Sequence, residues 1–115
     1  MLQLLDRGIN FFNSGRYFDA HEIWEDLWRE EQGSLRLFYQ GLIQAAVGLH
    51  HLSRGNVSGG TSQLRKSLTK LDGFEPHIQG INVDRLRRDL QEILNRPNNW
   101  KPPAIEVKND TKPDG

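Results

Sequence analysis

Cysteine is absent from this chain. That excludes disulfides and thiolate metal sites, and it makes the reducing cytosol the expected compartment. An excess of either charge is missing too: Lys+Arg and Asp+Glu both number 15, so the formal net charge is zero. A chain without a basic excess lacks the electrostatic footprint of a nucleic-acid binder. Arg65, Lys66, Lys70, Arg85, Arg87 and Arg88 do gather in the second half, but Asp72, Asp84, Asp89 and Glu92 are interleaved with them. No aromatic stands within Arg65–Lys70 or Arg85–Arg88 to stack on a base, so no nucleic-acid partner is expected. There is no nucleophile elbow, phosphate loop, zincin histidine pair or dinucleotide fingerprint, which favours a binding role over an enzymatic one. The first seven residues, Met1 to Arg7, carry neither a basic n-region nor a long apolar run, and no signal peptide is expected.

What is present centres on Leu35–Arg54. This stretch contains no Asp, Glu or Lys, and apolar residues fall on nearly every side of it at 100° per residue. A helix that is apolar all round belongs in a membrane or in a core. Spanning a bilayer takes roughly 20 predominantly apolar residues, and Gln40, Gln44, His50 and His51 interrupt this run. It therefore reads as the central helix of a soluble domain with no membrane partner. Gly41 and Gly48 lie seven residues apart on one side of it. Mid-helix glycine costs about 1 kcal/mol against alanine, so the pair predicts a second helix backbone approaching closely there.

The flanking segments are amphipathic. Leu5, Ile9 and Phe12 mark a first helix from about Leu2 to Asn13, stopped by Ser14-Gly15. A second helix, about Arg16 to Glu31, buries Tyr17, Ala20, Trp24, Leu27 and Trp28, with Gly33 ending it and Ser34 expected as the next N-cap. Glu30 and Glu31 sit at its C-terminal end, the wrong end of the helix dipole for acids. After Gly55, Asn56 is expected to cap a fourth helix whose ridge is Val57, Gly60, Leu64, Leu68 and Leu71. Phe74 to Ile81 reads as a loop, and Asn82 as the cap of a fifth helix over Val83–Asn95. The prediction is an all-α single domain without a sheet: a compact bundle of about five helices, two antiparallel hairpins plus a C-terminal helix. Residues 1–97 make the bundle, 98–107 an extended segment and 108–115 a disordered tail.

Gly15, Tyr17, Ala20 and Trp24 resemble a tetratricopeptide hairpin, which would imply a peptide-binding scaffold; the second hairpin lacks the aromatics. A closer likeness covers most of the chain. Two runs carry it: Phe12-Asn-x-Gly15-x-Tyr-Phe-Asp-Ala-His21-Glu-Ile-Trp-Glu25-Asp-Leu-Trp28-Arg, and Phe38-Tyr-Gln-Gly-Leu-Ile-Gln44-Ala-Ala-Val-x-Leu-His-His51 followed by Gly55-Asn56 and Gly60. They resemble the two signatures of the small all-helical family catalogued as domain of unknown function 309. The resemblance implies a compact helical bundle and leaves its activity open.

The candidate site follows from the polar residues on apolar faces. Gln40, Gln44 and His51, at i, i+4 and i+11, form one stripe on the central helix. His21 and Glu25 share a face of the second helix, and a turn of about three residues around Gly33 should bring the two together. The expected pocket is His21, Glu25, Gln40, Gln44 and His51, with Trp28 and Tyr17 as apolar walls. His50 is expected at an edge near Ile43 and Arg54. Three readings compete: a hydrogen-bonded structural network, a pocket for a small molecule or protein, and a divalent-metal site of hydrolase type (Mn, Fe or Zn) on His21, Glu25 and His51. His21-Glu22-x-x-Glu25 departs from the zincin run, with Glu25 where the second histidine should stand. No cofactor is required by any motif. A second copy of the chain is a further candidate partner.

Overall fold

The computed structural model describes residues 2–108. Five helices follow one another: α1 (Leu2–Asn13), α2 (Tyr17–Glu30), α3 (Leu35–Ser53), α4 (Val57–Leu71) and α5 (Val83–Asn95). The expected disordered tail falls, apart from Lys108, outside the described residues. Each helix packs on its neighbour in sequence, and the most extensive interface is α3 against α4. Among the described residues, no helix is long and apolar enough to cross a membrane.

Two turns share one local solution. After α1, Gly15 takes φ +81°, its N–H donates to Phe12 O, and Arg16 N–H donates to Phe11 O. After α3, Gly55 takes φ +82°, with Gly55 N–H to Leu52 O and Asn56 N–H to His51 O. These are Schellman closures, which need a residue at ease with positive φ. Asn56 and Asn82 cap as expected, accepting from Gly59 N–H and Arg85 N–H. Ser34 does not: it is in the right-handed helical region and its side chain caps nothing. Nor does Gly33 terminate α2, which ends at Glu30 with Glu31 extended.

The core confirms the periodicities. α3 buries Phe38, Tyr39, Leu42, Ala45, Ala46, Leu49 and Leu52, residues distributed round the helix. A Cβ on Gly48 would stand 2.8 Å from Leu64 and 3.0 Å from the Gly60 carbonyl oxygen, and one on Gly41 2.8 Å from Leu71. Helices α3 and α4 thus meet almost backbone to backbone. At the same interface Ser67, wholly buried, donates to Gly41 O at 2.7 Å, so its hydroxyl is satisfied where water cannot reach. In α1, Gly8 lies under the Trp24 indole; a Cβ there would fall 2.1 Å from Nε1, the atom that donates to Leu5 O.

The absence of a sheet was not borne out. Phe74 to Asn82 closes into a hairpin of β1 (His77–Ile78) and β2 (Ile81–Asn82). Gln79 and Gly80 both have positive φ, the signature of a two-residue type I′ turn. Strands of two residues carry no detectable alternation, so periodicity could not reveal them. The C-terminal segment then lines β2: Asn82 N–H donates to Glu106 O, Lys108 N–H to Gly80 O, and Ile81 pairs with Val107. Just before these contacts it is tied to α1, where Asn13 Nδ2 donates to Ile105 O and Asn13 Oδ1 accepts from Ile105 N–H at 2.7 Å. Between α4 and α5, Arg87 donates to Leu68 O and pairs with Glu75 at 2.8 Å. The Glu75 carboxyl is held below its usual range by its own and the Gly73 backbone N–H, with Arg87 adding to the effect.

Three expectations follow for stability. Gly8→Ala must displace the buried Trp24 indole, and it should lose about 2 kcal/mol or more in urea unfolding. Gly48→Ala meets a movable leucine and a carbonyl, and it should lose about 1 kcal/mol after its gain in helix propensity. A Gly8→Ala protein as stable as the parent would contradict the indole packing. Asn13→Ala strands both backbone groups of Ile105, at about 1–3 kcal/mol, and amide exchange at Ile105 should quicken while exchange in α3 shifts only by the global loss.

Candidate functional site

The α2/α3 hairpin carries the polar residues singled out in the sequence, but it sorts them into separate places. At the N-terminal half of α2 and the C-terminal end of α3 lies a cleft of about 180 Å³ lined by Phe18, His21, Val47, His50 and His51. Three of the four histidines of the chain meet there. Phe18 is 49% exposed, and its ring lies 4.9 Å from that of His21 and 5.4 Å from that of His50, centroid to centroid. Two imidazoles therefore stand close beside an open phenyl ring.

Each histidine is held differently. His21 Nδ1 donates to Phe18 O at 2.9 Å, since a carbonyl can only accept. That leaves Nε2 facing the Glu25 carboxylate at 3.5 Å. Glu25 also faces Arg29 at 3.5 Å, so it orients His21 from the cleft's edge. His51 Nδ1 lies 3.3 Å from Asn56 Nδ2, the residue whose Oδ1 caps α4. The ring nitrogens of His50 make no hydrogen bond among the described residues. Its pKa lies below the usual imidazole value because burial disfavours the cation, and Arg54, His51 and His21 add like charge. At neutral pH it therefore offers one N–H donor and one bare nitrogen.

Only part of the expected pocket assembles here. His21 and His51 line the cleft, with Glu25 at its rim. Tyr17 does not wall it: its ring is buried against Phe12 at 5.4 Å and faces Trp100 at 6.4 Å. Phe18, one residue on and about 100° round the helix, takes its place. His50, expected at an edge near Ile43 and Arg54, does feel the Arg54 charge and also lines the cleft. Trp28 lies under Arg36, whose guanidinium carbon is 3.9 Å from the ring centroid. Gln40 and Gln44 make no side-chain hydrogen bond to the histidines among the described residues. Trp28 Nε1 and Gln44 Oε1 are buried without a hydrogen-bond partner, so the expected continuous network is not formed. Nor do His21, Glu25 and His51 converge: among the described residues no three His, Asp or Glu side chains form a group able to hold a metal ion.

The family model described as domain of unknown function (DUF309) matches residues 5–62. The chain belongs to that family. All five cleft residues lie inside the matched span. The chain is also similar to an uncharacterized protein of Aquifex aeolicus (strain VF5), 30% identical over 107 residues, which cover 90% of this chain and 32% of that protein. The uncharacterized protein YpuF of Bacillus subtilis (strain 168) is 25% identical over 112 residues, covering 92% of this chain and 64% of its own length. The chain thus spans about a third of one relative and somewhat under two thirds of the other.

Sequence reasoning missed Phe18 and left His50 out of the expected pocket. Phe18 was detectable as an aromatic off the apolar face of α2; His50 carried no local signal, because its neighbours come from another helix.

The electrostatics give a pH dependence of known sign. A histidine whose folded pKa is depressed binds fewer protons folded than unfolded, so its contribution to stability is present above the unfolded value, about 6.5, and is lost as pH falls through the lower folded value. Unfolding free energy measured from pH 7.5 down to 5 should decline, and His50→Gln should flatten that slope. An unchanged slope would mean that His50 is not held neutral.

Proposed function

We propose that this domain is a non-catalytic binding module whose recognition surface is the histidine cleft of the α2/α3 hairpin. The carrying observation is the meeting of three imidazoles in one cleft with a half-exposed phenylalanine. Isolated surface aromatics are common and need no explanation. An aromatic flanked by two rings, over a Val47 floor and beside an unengaged imidazole, is a small apolar site with a polar edge.

Its size limits what it takes. A cavity of about 150 Å³ holds a benzene ring, so a cleft of about 180 Å³ accommodates one ring-sized group. That group is an aromatic ring with a hydrogen-bonding atom, presented by a small ligand or by an anchor side chain of a partner protein. Its apolar face would lie on Phe18 and Val47, and its polar atom would meet His50. The longer relatives support a modular role, since this fold accounts for about a third of the Aquifex aeolicus protein.

Indole and benzoate are suitable probes by heteronuclear NMR. Shifts should cluster at Phe18, His21, Val47, His50 and His51, and Phe18→Ala should weaken binding about tenfold or more, as for a hot-spot anchor. Shifts spread elsewhere, or binding indifferent to Phe18→Ala, would reject the reading. The metal-hydrolase alternative has its own readout. Stoichiometric Zn, Mn or Fe binding that disappears in His21→Ala would replace the binding module with a metal site that includes His21.

A further inference from the structure

The opposite end of the same hairpin holds a second cleft, of about 340 Å³, between the C-terminal turn of α2 and the start of α3. Its apolar lining is Leu5, Leu27 and Leu35, and its polar lining includes Glu30, Glu31 and Tyr39. The charge here is one-sided. Glu30 and Glu31 stand where the α2 dipole is already negative and the last carbonyls of the helix lack intrahelical donors. Arg29, the basic residue of that turn, is engaged by Asp26 at 2.8 Å and Glu25 at 3.5 Å. Among the described residues neither Glu30 nor Glu31 has an ion-pair partner, and Glu31 accepts only the Gly33 N–H, at 3.1 Å.

The independent sign of a ligand is Tyr39. Its side chain is buried, with 6% of the residue exposed, yet among the described residues its hydroxyl makes no hydrogen bond. It lines the cleft. Burial and then the Glu31 charge raise its pKa, which keeps the phenol neutral and places it in the field of that carboxylate. The hydroxyl is not among the polar atoms sealed from solvent, so it is the part of this buried side chain that opens into the cleft, where a donor that enters can reach it.

We propose that this cleft binds a primary alkylammonium group, with its methylene stem on Leu5, Leu27 and Leu35 and its three N–H donors shared among Glu30, Glu31 and the Tyr39 hydroxyl oxygen. An ammonium is a compact charge with three donors and no acceptor, which matches two carboxylates and one phenol. The leucine floor favours a cation with an alkyl stem over a hydrated metal ion. Two sources present this chemistry, a free diamine and a lysine side chain.

The test uses cadaverine, Nα-acetyl-lysine methylamide and neutral 1-pentanol, titrated into the full chain while Tyr39 ring and Leu27 and Leu35 methyl signals are followed by NMR. At least one amine should produce saturable shifts that pentanol does not, and these should weaken sharply in high salt. The tighter amine identifies the source. The double variant Glu30→Gln/Glu31→Gln, altered only near the surface, should bind about tenfold or more weakly. Tyr39→Phe, checked for an unchanged helical spectrum, should weaken binding about threefold to tenfold. Saturation by neither amine, equal shifts from pentanol, or undiminished affinity in the double variant would overturn the proposal. None of these outcomes bears on the histidine cleft, whose probes and residues are separate.

Discussion

The close approach of α3 and α4 is the constraint on which the rest of this structure hangs. Leucines of one helix lie over glycines of the other: Leu64 on Gly48, Leu71 on Gly41, and Leu52 on Gly60. With no Cβ between them, the backbones come near enough for Ser67 to reach the Gly41 carbonyl. Helix α3 is thereby fixed on one side and must find cover for its remaining apolar surface from α2. Substituting a larger residue at this seam would push α4 outward, because close-packed interiors have no free volume to absorb a methyl group.

Once α3 is held, α2 lies along it, and the hairpin acquires two chemically opposite ends. At one end the helices present Phe18, His21, His50 and His51 around a small cleft. At the other, the chain reverses direction through Glu31 to Ser34 and leaves carboxylates over a leucine floor. Trp28 and Arg36 stack across the hairpin near the acidic end, and Arg36 also donates to Trp28 O at 3.3 Å. Arg29 is thus paired with Asp26 and Glu25, and Arg36 is turned onto Trp28. One pair of helices thus carries two chemically distinct clefts, one aromatic with a neutral imidazole and the other aliphatic with carboxylates.

Much of the fold was legible in the residues. Leu5, Ile9 and Phe12, and Val83, Leu86, Leu90 and Ile93, repeat at helical spacing and are buried, because amphipathic period is a local property of the chain. The caps Asn56 and Asn82 and the positive-φ turns at Gly15 and Gly55 are local too. Ser34 failed as a cap although its residue type suits one, since capping depends on backbone angles the residue does not choose alone. The candidate site was legible only in part. His21 and His51 were placed on the right helices and the right side, while Tyr17 was exchanged for Phe18 and the glutamines did not join the histidines.

By itself, the sequence determined the five helices, most of the residues that face inward, and that α3 is buried. It also determined membership of its family, carried in two runs of residues close together in the chain. Only the tertiary structure decided that His50 joins His21, that Tyr39 opens toward Glu31, and that Val107 pairs with Ile81. The physical reason is a difference of range. Burial period, capping and turn geometry depend on residues within about one or two turns of each other. The rotation of one packed helix against another is set by the summed volumes of side chains drawn from distant segments, and a rotation of a few tens of degrees exchanges one candidate site residue for the next.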